Sequence, residues 1–166
     1  LTTFLSVASR YLVCMPHNRH LGISQRIENE PERERLLAAL SSAVTAEGVL
    51  DQSGFILRTA AEGVSDSELQ SDIRFLRRVW SAVQQRIEEC KAAGKIRIIY
   101  DDLVLYVRAM RDLLTPQVER IRIDDARVYD EVVRFACDFI PEIADRIELY
   151  QGERPLFDVF GIEDEI

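Results

Sequence analysis

The sequence has few cysteines and no long apolar run. Its three cysteines, Cys14, Cys90 and Cys137, are widely spaced and include no C-x-x-C pair. This odd, scattered set argues against a disulfide framework or a structural zinc site and indicates a reducing, cytoplasmic environment. No apolar run approaches the roughly 20 residues that a membrane helix requires, so we expect no membrane partner.

Positive charge is also scarce, because the chain carries 21 basic and 29 acidic side chains, a net charge of −8. Residues 1–64 contain 6 basic and 7 acidic side chains, whereas residues 65–166 contain 15 and 22. Nucleic-acid grooves require local positive potential, so this balance argues against a broad polyanion-binding surface. A small anion site in the first part remains electrostatically tolerable.

The common signatures of catalysis and metal binding are absent. No P-loop, G-x-S-x-G elbow or H-E-x-x-H occurs. Cys14, His17 and His20 have a ligand-like spacing but no matching half-site, which favours a loop with exposed histidines. The acid pairs Asp101–Asp102 and Asp124–Asp125 could hold Mg²⁺, but both lie where helices begin and capping explains them. A metal-dependent enzyme that uses these pairs is kept as an alternative.

In the first part of the chain, turn residues and hydrophobic periodicity predict short strands and two helices. We predict two strands within residues 2–15, broken near Ala8 and Ser9, and further strands over 23–28 and 55–59, with a helix over 33–44. The clearest element is a long helix that begins at a Ser65–Glu68 capping box and ends at Gly94.

From residue 96 onward, the pattern predicts β-α-β-α-β-α. The predicted strands cover residues 96–100, 120–123 and 146–150. The predicted helices run from the first acid pair to Leu114, from the second acid pair to Phe139, and onward from Pro155. The fold class is therefore α/β, with mixed small sheets and flanking helices.

The most informative segment is GFILRTAAEG, residues 54–63. Its apolar run delivers Arg58 and Thr59 to the end of a predicted strand, with small residues following. The planar guanidinium matches phosphate or carboxylate oxygens, and the threonine adds a hydroxyl. The segment therefore predicts an anion pocket, most simply for phosphate. The alternative is an arginine that pairs with one of the many carboxylates of the chain.

Five motifs occur in order: LTTFLSVASRYLV, GISQRIE, GFILRTAAEG, ERIRID and IELYQGERPLFDVFGIEDEI. This series resembles the ribonuclease E/G family of bacterial RNA-processing endonucleases, on the ribonuclease G side, over essentially the whole chain. The resemblance implies that residues 1–105 form a 5′-sensor-like region and residues 106–166 a partial RNase H-like subdomain, truncated at its C-terminus. Since the sequence starts at Leu1 rather than Met and stops inside a predicted helix, we expect a fragment of a longer protein.

The family cleaves single-stranded RNA in rRNA processing and mRNA decay and favours RNA that begins with a 5′-monophosphate. By this resemblance, Arg58 and Thr59 match the pair that contacts the terminal phosphate, and Val13 matches an apolar contact to the terminal nucleotide. Ser9 stands where the family can have a glycine whose N–H faces the phosphate. Arg26 is a candidate auxiliary RNA contact; the residue before it, Gln25, is an arginine in some relatives.

The family's catalytic Asp-x-Asn pattern and its C-x-x-C-like zinc link are both absent from this sequence. The resemblance therefore implies no catalytic residue and no metal ligand in this chain. Mg²⁺ for cleavage, Zn²⁺ between subunits and homo-oligomer formation would belong to segments of the parent protein that lie elsewhere. An alternative function is a structural scaffold for the catalytic subdomain, with a pocket that no longer binds RNA ends.

Overall fold

A computed structural model describes residues 5–49, 53–94, 96–101, 103–114, 117–162 and 164–165. The chain divides into two compact units, Leu1–Asp102 and Leu103–Ile166. Both contain short strands flanked by helices, which confirms the predicted mixed α/β class. No helix within these described segments combines the length and apolarity needed to cross a bilayer.

The first unit contains a four-stranded sheet with the strand order β1-β2-β4-β3. The strands are β1 (Val7–Ala8), β2 (Leu12–Met15), β3 (Leu21–Ile23) and β4 (Gly54–Leu57). Strand β2 pairs antiparallel with β1 and β4, and β3 pairs parallel with β4.

The predicted strand over residues 23–28 is wrong beyond its first residue. The Ser24 N–H still donates to Leu57 O of β4 at 2.8 Å, but the chain then turns, and the Ile27 N–H donates to Ser24 O at 3.2 Å. A local turn therefore uses the backbone groups that a longer ladder would need.

Two helices cover the sheet, and both were predicted. Helix α1 (Glu30–Ala46) begins at Asn29, whose Oδ1 accepts from the Glu32 N–H at 3.1 Å. Helix α2 (Asp66–Ala93) has the predicted capping box of Ser65 and Glu68, and Gly94 ends it in the left-handed conformation at φ 58°. Side-chain acceptors at the first turns satisfy N–H groups that have no intrahelical partner, which explains why both helices begin where they do.

The core of the first unit lies between the sheet and the two helices. Alternate residues of β2 and β4 point inward, and the apolar stripes of α1 and α2 meet them at helical spacing. Each fully buried large apolar side chain contributes about 1.5–3 kcal/mol relative to exposure. Among the least exposed members are Leu12, Phe55, Leu57, Leu36, Leu40, Val44, Leu69, Ile73 and Leu76.

The second unit is smaller. Its elements are α3 (Leu105–Leu113), β5 (Ile121–Ile123), α4 (Ala126–Phe139), a 3₁₀ segment (Pro141–Arg146), β6 (Ile147–Leu149) and α5 (Leu156–Phe160). Strands β5 and β6 pair in parallel, and Asp125 caps α4 as predicted, accepting from the Val128 N–H at 3.0 Å. Its core consists of Met110, Val132, Ala136, Ile143 and Ile147.

Two predictions near the boundary of the units are wrong. Residues 96–100 form no strand, and Ile96 and Ile98 are fully or largely exposed. An apolar run becomes a strand only where a neighbouring backbone pairs with it, and among the described residues none does. Helix α3 begins after Val104 without a side-chain cap, so Asp101 is not its cap; Asp102 lies outside the described residues. The β-α-β-α-β-α order therefore lacks its first strand.

Candidate anion-binding site

Three connecting segments meet at one end of the first unit's sheet. Strand β4 ends there at Leu57, and β3, parallel to it, ends beside it at Ile23. Strand β2 runs the other way, so the turn of residues 9–11 that precedes it lies at the same end. Sequence-distant loops are thus brought together around the residue that follows β4, Arg58.

Arg58 is half-buried and is held mainly by backbone carbonyl groups. Its N–H donates to Tyr11 O at 2.8 Å, continuing the β2–β4 ladder by one residue. Its Nη1 donates to Ser9 O and, at 3.2 Å, to Arg10 O. Within the described part of the chain, no carboxylate forms an ion pair with Arg58. A guanidinium has further N–H donors beyond those on one nitrogen, so this anchoring is compatible with anion binding.

Thr59 is exposed and begins a short 3₁₀ turn, Thr59–Ala61, directly after the strand. The far end of this segment is tied to α1, because the Gly63 N–H donates to Glu32 Oε1 at 2.8 Å. Arg35 donates to both oxygens of the same carboxylate, and these bonds lower the pKa of Glu32 to about 2. Gly63 has φ 72°, which favours glycine over other residues at this position. The loop after Arg58 is therefore fixed at both ends.

Val13 lies on the same face of the sheet as Arg58. It is half-buried in β2 and sits opposite Ile56, while its neighbours Leu12 and Cys14 point into the core. Residues two apart in a strand share a face, so Ile56 and Arg58 also share one. The register thus places Val13 on the same face of the sheet as Ile56 and Arg58.

Ser9 is fully buried, and its polar groups are used inside the protein. Its N–H donates to Leu12 O at 2.8 Å, which closes the turn between β1 and β2. Its hydroxyl donates to Asp72 Oδ2 at 2.5 Å and lies 3.0 Å from Leu12 O. In this conformation Ser9 supports the turn whose carbonyls hold Arg58, and it offers no N–H to a ligand.

Asp72 is the main residue that sequence reasoning did not identify. It is 9% exposed, and its Oδ2 also accepts from the Tyr11 N–H at 3.0 Å. Burial raises the pKa of Asp72 to about 6, while hydrogen bonds from Ser9 and from the turn's backbone N–H groups oppose the rise. A signal was present in the sequence, because Asp72 interrupts the apolar stripe of α2 between Leu69 and Ile73.

A second contact joins the same turn to α2. The Tyr11 hydroxyl donates to Glu68 Oε1 at 3.1 Å, and the Arg10 guanidinium lies 4.8 Å from the centre of the Tyr11 ring. Burial raises the pKa of Tyr11 to about 12, so this phenol stays protonated at neutral pH. Tyr11 therefore remains a donor and keeps the turn attached to the first part of the helix.

Arg26 is exposed in the turn after β3, at the same end of the sheet as Arg58. Its N–H donates to Ser24 Oγ at 3.3 Å, and Gln25 beside it is also exposed. Arg33 was not identified from the sequence; its Nη1 donates to Ile27 O at 2.8 Å and so braces this turn against α1. Arg26 therefore lies exposed in this turn, while Arg33 braces it and also pairs with Glu30 at 3.7 Å.

A cavity of about 550 Å³ opens at the other end of β4. Arg74 and Arg77 line it, and both pair with Glu47, at 2.8 Å and 3.0 Å. Glu47, which lines the same cavity, thus partly neutralises the charge of these two arginines. Arg58 does not line this cavity. We therefore place the candidate site at the Arg58 end.

The described residues contain no group of three or more His, Cys, Asp or Glu side chains arranged to hold a metal ion. Cys14 is buried, and burial raises the pKa of its thiol. His17 instead packs edge-on against Trp80, with ring centres 6.1 Å apart, and His20 is exposed.

Comparison with known proteins agrees with the motif series. A sequence model described as the "Ribonuclease E/G family" matches residues 6–166. Ribonuclease G of Escherichia coli (strain K12) is 43% identical over 166 residues, which is all of this chain and 32% of that protein. Ribonuclease G of Haemophilus influenzae has the same identity and coverage. Ribonuclease E of Escherichia coli (strain K12) is 40% identical over 169 residues, or 15% of its length. The chain thus spans about a third of its ribonuclease G relatives.

Proposed function

Because the chain belongs to the ribonuclease E/G family, we propose that its first unit senses the 5′-monophosphate of single-stranded RNA. In this proposal the unit is the 5′-sensor region of a cytoplasmic bacterial endoribonuclease that acts in rRNA processing and mRNA decay. The second unit is part of an RNase H-like subdomain. Arg58 and Thr59 contact the terminal phosphate, and Val13 contacts the terminal nucleotide.

The observation that carries the proposal is the position of Arg58. It stands at the end of a core strand, is oriented by two backbone carbonyls, and has an exposed threonine beside it. A terminal monophosphate carries up to about two negative charges and has free oxygens, unlike an internal diester. The guanidinium can bond such oxygens in a fork, while a 5′-hydroxyl leaves the fork unpaired, a loss of about 1–3 kcal/mol.

Cleavage itself is assigned to other parts of the parent protein. The sequence lacks the family's Asp-x-Asn pattern and C-x-x-C-like link, and the described residues contain no metal-binding cluster. We therefore propose that this chain alone does not cut RNA. Mg²⁺ for catalysis, and Zn²⁺ and homo-oligomer contacts for assembly, would be supplied by segments beyond it.

A second function is favoured by a specific observation. Arg58 Nη1 and the Ser9 N–H are both used in internal hydrogen bonds, which is what a scaffold with a non-functional pocket would show. The acidic balance of residues 65–166 agrees with this alternative, because it disfavours an extended RNA surface.

The test is a titration of this chain with one short single-stranded RNA that carries either a 5′-monophosphate or a 5′-hydroxyl, at one low salt concentration. We expect a preference of tenfold or more for the monophosphate, which corresponds to about 1.4 kcal/mol or more. Arg58→Ala should remove most of this preference, and Arg19→Ala, which removes an exposed arginine outside the site, should keep it. Equal affinity for the two RNAs, or an unchanged preference in Arg58→Ala, would favour the scaffold.

A further inference from the structure

We infer that Asp72 is a positioning residue for the phosphate pocket, because its buried carboxylate holds the turn whose carbonyl groups orient Arg58. This inference rests on the proposed function. Asp72 lies near the start of α2 and 63 positions away from Ser9 in the sequence, and it has no role among the site residues that the motifs suggest.

Helix α2 contacts the turn of residues 9–11 through Asp72. One oxygen of Asp72 accepts from the Ser9 hydroxyl at 2.5 Å and from the Tyr11 N–H at 3.0 Å. Backbone N–H groups of Arg10 and Leu12 also interact with this carboxylate. Several donors of one tight turn thus point at a single acid, and charge-assisted hydrogen bonds of this kind are the strong ones.

The same turn contacts Arg58 through its carbonyl groups. The carbonyls of Ser9 and Arg10 both accept from Arg58 Nη1, and the Tyr11 carbonyl accepts from the Arg58 N–H. The N–H side of the turn therefore faces the acid, and its C=O side faces the arginine. Peptide groups are planar, so fixing the N–H groups of the turn also fixes the direction of its carbonyls.

These contacts order the Arg58 side chain before any ligand binds. A free arginine side chain would lose rotamer entropy when it binds a phosphate, and this loss would weaken binding. In this protein Asp72 fixes the turn, and the carbonyl groups of the turn fix the guanidinium of Arg58, so the side chain is already ordered. The alternative is that Asp72 only stabilises the fold. In that case its loss should weaken the protein without changing how the protein distinguishes one RNA end from the other.

The experiment compares wild type, Asp72→Asn, Ser9→Ala, Arg58→Ala and Asp66→Asn. Each protein is titrated with the 5′-monophosphate and 5′-hydroxyl forms of one single-stranded RNA. Asp66→Asn is the matched control, since it removes one exposed acid from the same helix. Comparing the two RNAs separates the pocket from the rest of the RNA surface, and unfolding followed by the fluorescence of Trp80, the single tryptophan of the chain, checks that each variant is folded.

We expect Asp72→Asn to lose at least fivefold of the preference for the monophosphate while its affinity for 5′-hydroxyl RNA stays within twofold of wild type. Ser9→Ala should lose about threefold, and Asp66→Asn should match wild type. If Asp72→Asn does not fold, the Ser9→Ala variant tests the positioning role instead, because it removes only one hydroxyl group. If a folded Asp72→Asn variant or the Ser9→Ala variant keeps the full preference for 5′-monophosphate RNA, the inference is wrong.

The two levels of the proposal fail in different ways. When Arg58→Ala loses the preference but Asp72→Asn and Ser9→Ala keep it, the 5′ sensor stands and the positioning role is wrong. A wild-type protein without any preference overturns the proposed function, and the positioning role fails with it.

Discussion

The buried carboxylate of Asp72 should make the stability of the first unit depend on pH in an unusual direction. Burial raises the pKa of Asp72 from its usual 3.8 to about 6, so the folded protein binds this proton more tightly than the unfolded chain. Protonation therefore stabilises the fold. The contribution is fully present below about pH 4 and is lost as the pH rises through about 6.

The size of the effect follows from the shift in pKa. Each pKa unit corresponds to about 1.4 kcal/mol, so a rise from 3.8 to about 6 amounts to about 3 kcal/mol over the full range. Most of it, about 2 kcal/mol, should appear between about pH 6 and about pH 4. The asparagine in Asp72→Asn cannot titrate, so this variant should lack this pH-dependent contribution to the free energy of unfolding. The free energy of unfolding of wild type minus that of Asp72→Asn should thus increase on acidification.

The assay is denaturant unfolding followed by Trp80 fluorescence, at a series of pH values, for both proteins. Midpoints rather than signal amplitudes should be compared, because the His17 ring packs against Trp80 and can alter its emission. The other charged or ionisable groups around the turn, Arg10, Tyr11, Arg58 and Glu68, are present in both proteins, so their contributions to stability largely cancel in the difference. A difference that stays constant with pH, or that decreases on acidification, would refute the reasoning.

Three further substitutions test the packing of the first unit by the same unfolding assay. Gly54→Ala would place a Cβ 2.5 Å from Asn18 O and 2.6 Å from His20 O, and since backbone cannot move aside easily we expect a loss of about 1–3 kcal/mol. Leu40→Ala removes a fully buried side chain of α1 and should cost about 2–5 kcal/mol. Ser65→Ala removes the N-cap of α2 and should cost about 1 kcal/mol.

Matched controls exist for each substitution. Gly22→Ala would meet side chains and no backbone, with His20 at 3.2 Å and Ile56 at 3.6 Å, and should be better tolerated than Gly54→Ala. Leu37→Ala, at a half-buried position, should cost less than the core substitution in the same helix. Ser71→Ala, exposed within α2, should change stability by less than about 0.5 kcal/mol, unlike the cap substitution. Any pair in which the control is as destabilising as its partner contradicts the packing described above.

Local sequence signals were sufficient for much of the secondary structure. Helix α2 was predicted from its capping box, its apolar periodicity and Gly94, and all three signals act within a few residues of each other. The Asp125 cap of α4 is equally local. Residues 96–100 were predicted wrongly because strand formation depends on a partner that the local sequence does not contain.

The sequence by itself determined that Arg58 and Thr59 follow a buried strand, and it carries the ordered motifs that place the chain in its family. The tertiary structure alone decided what holds Arg58. The Ser9–Tyr11 turn and Asp72 are separated by about sixty residues, and their contact exists only because α2 packs across the sheet. Hydrogen bonds between distant segments leave no periodic pattern. The one local trace of this contact is a single acid in the apolar stripe of α2.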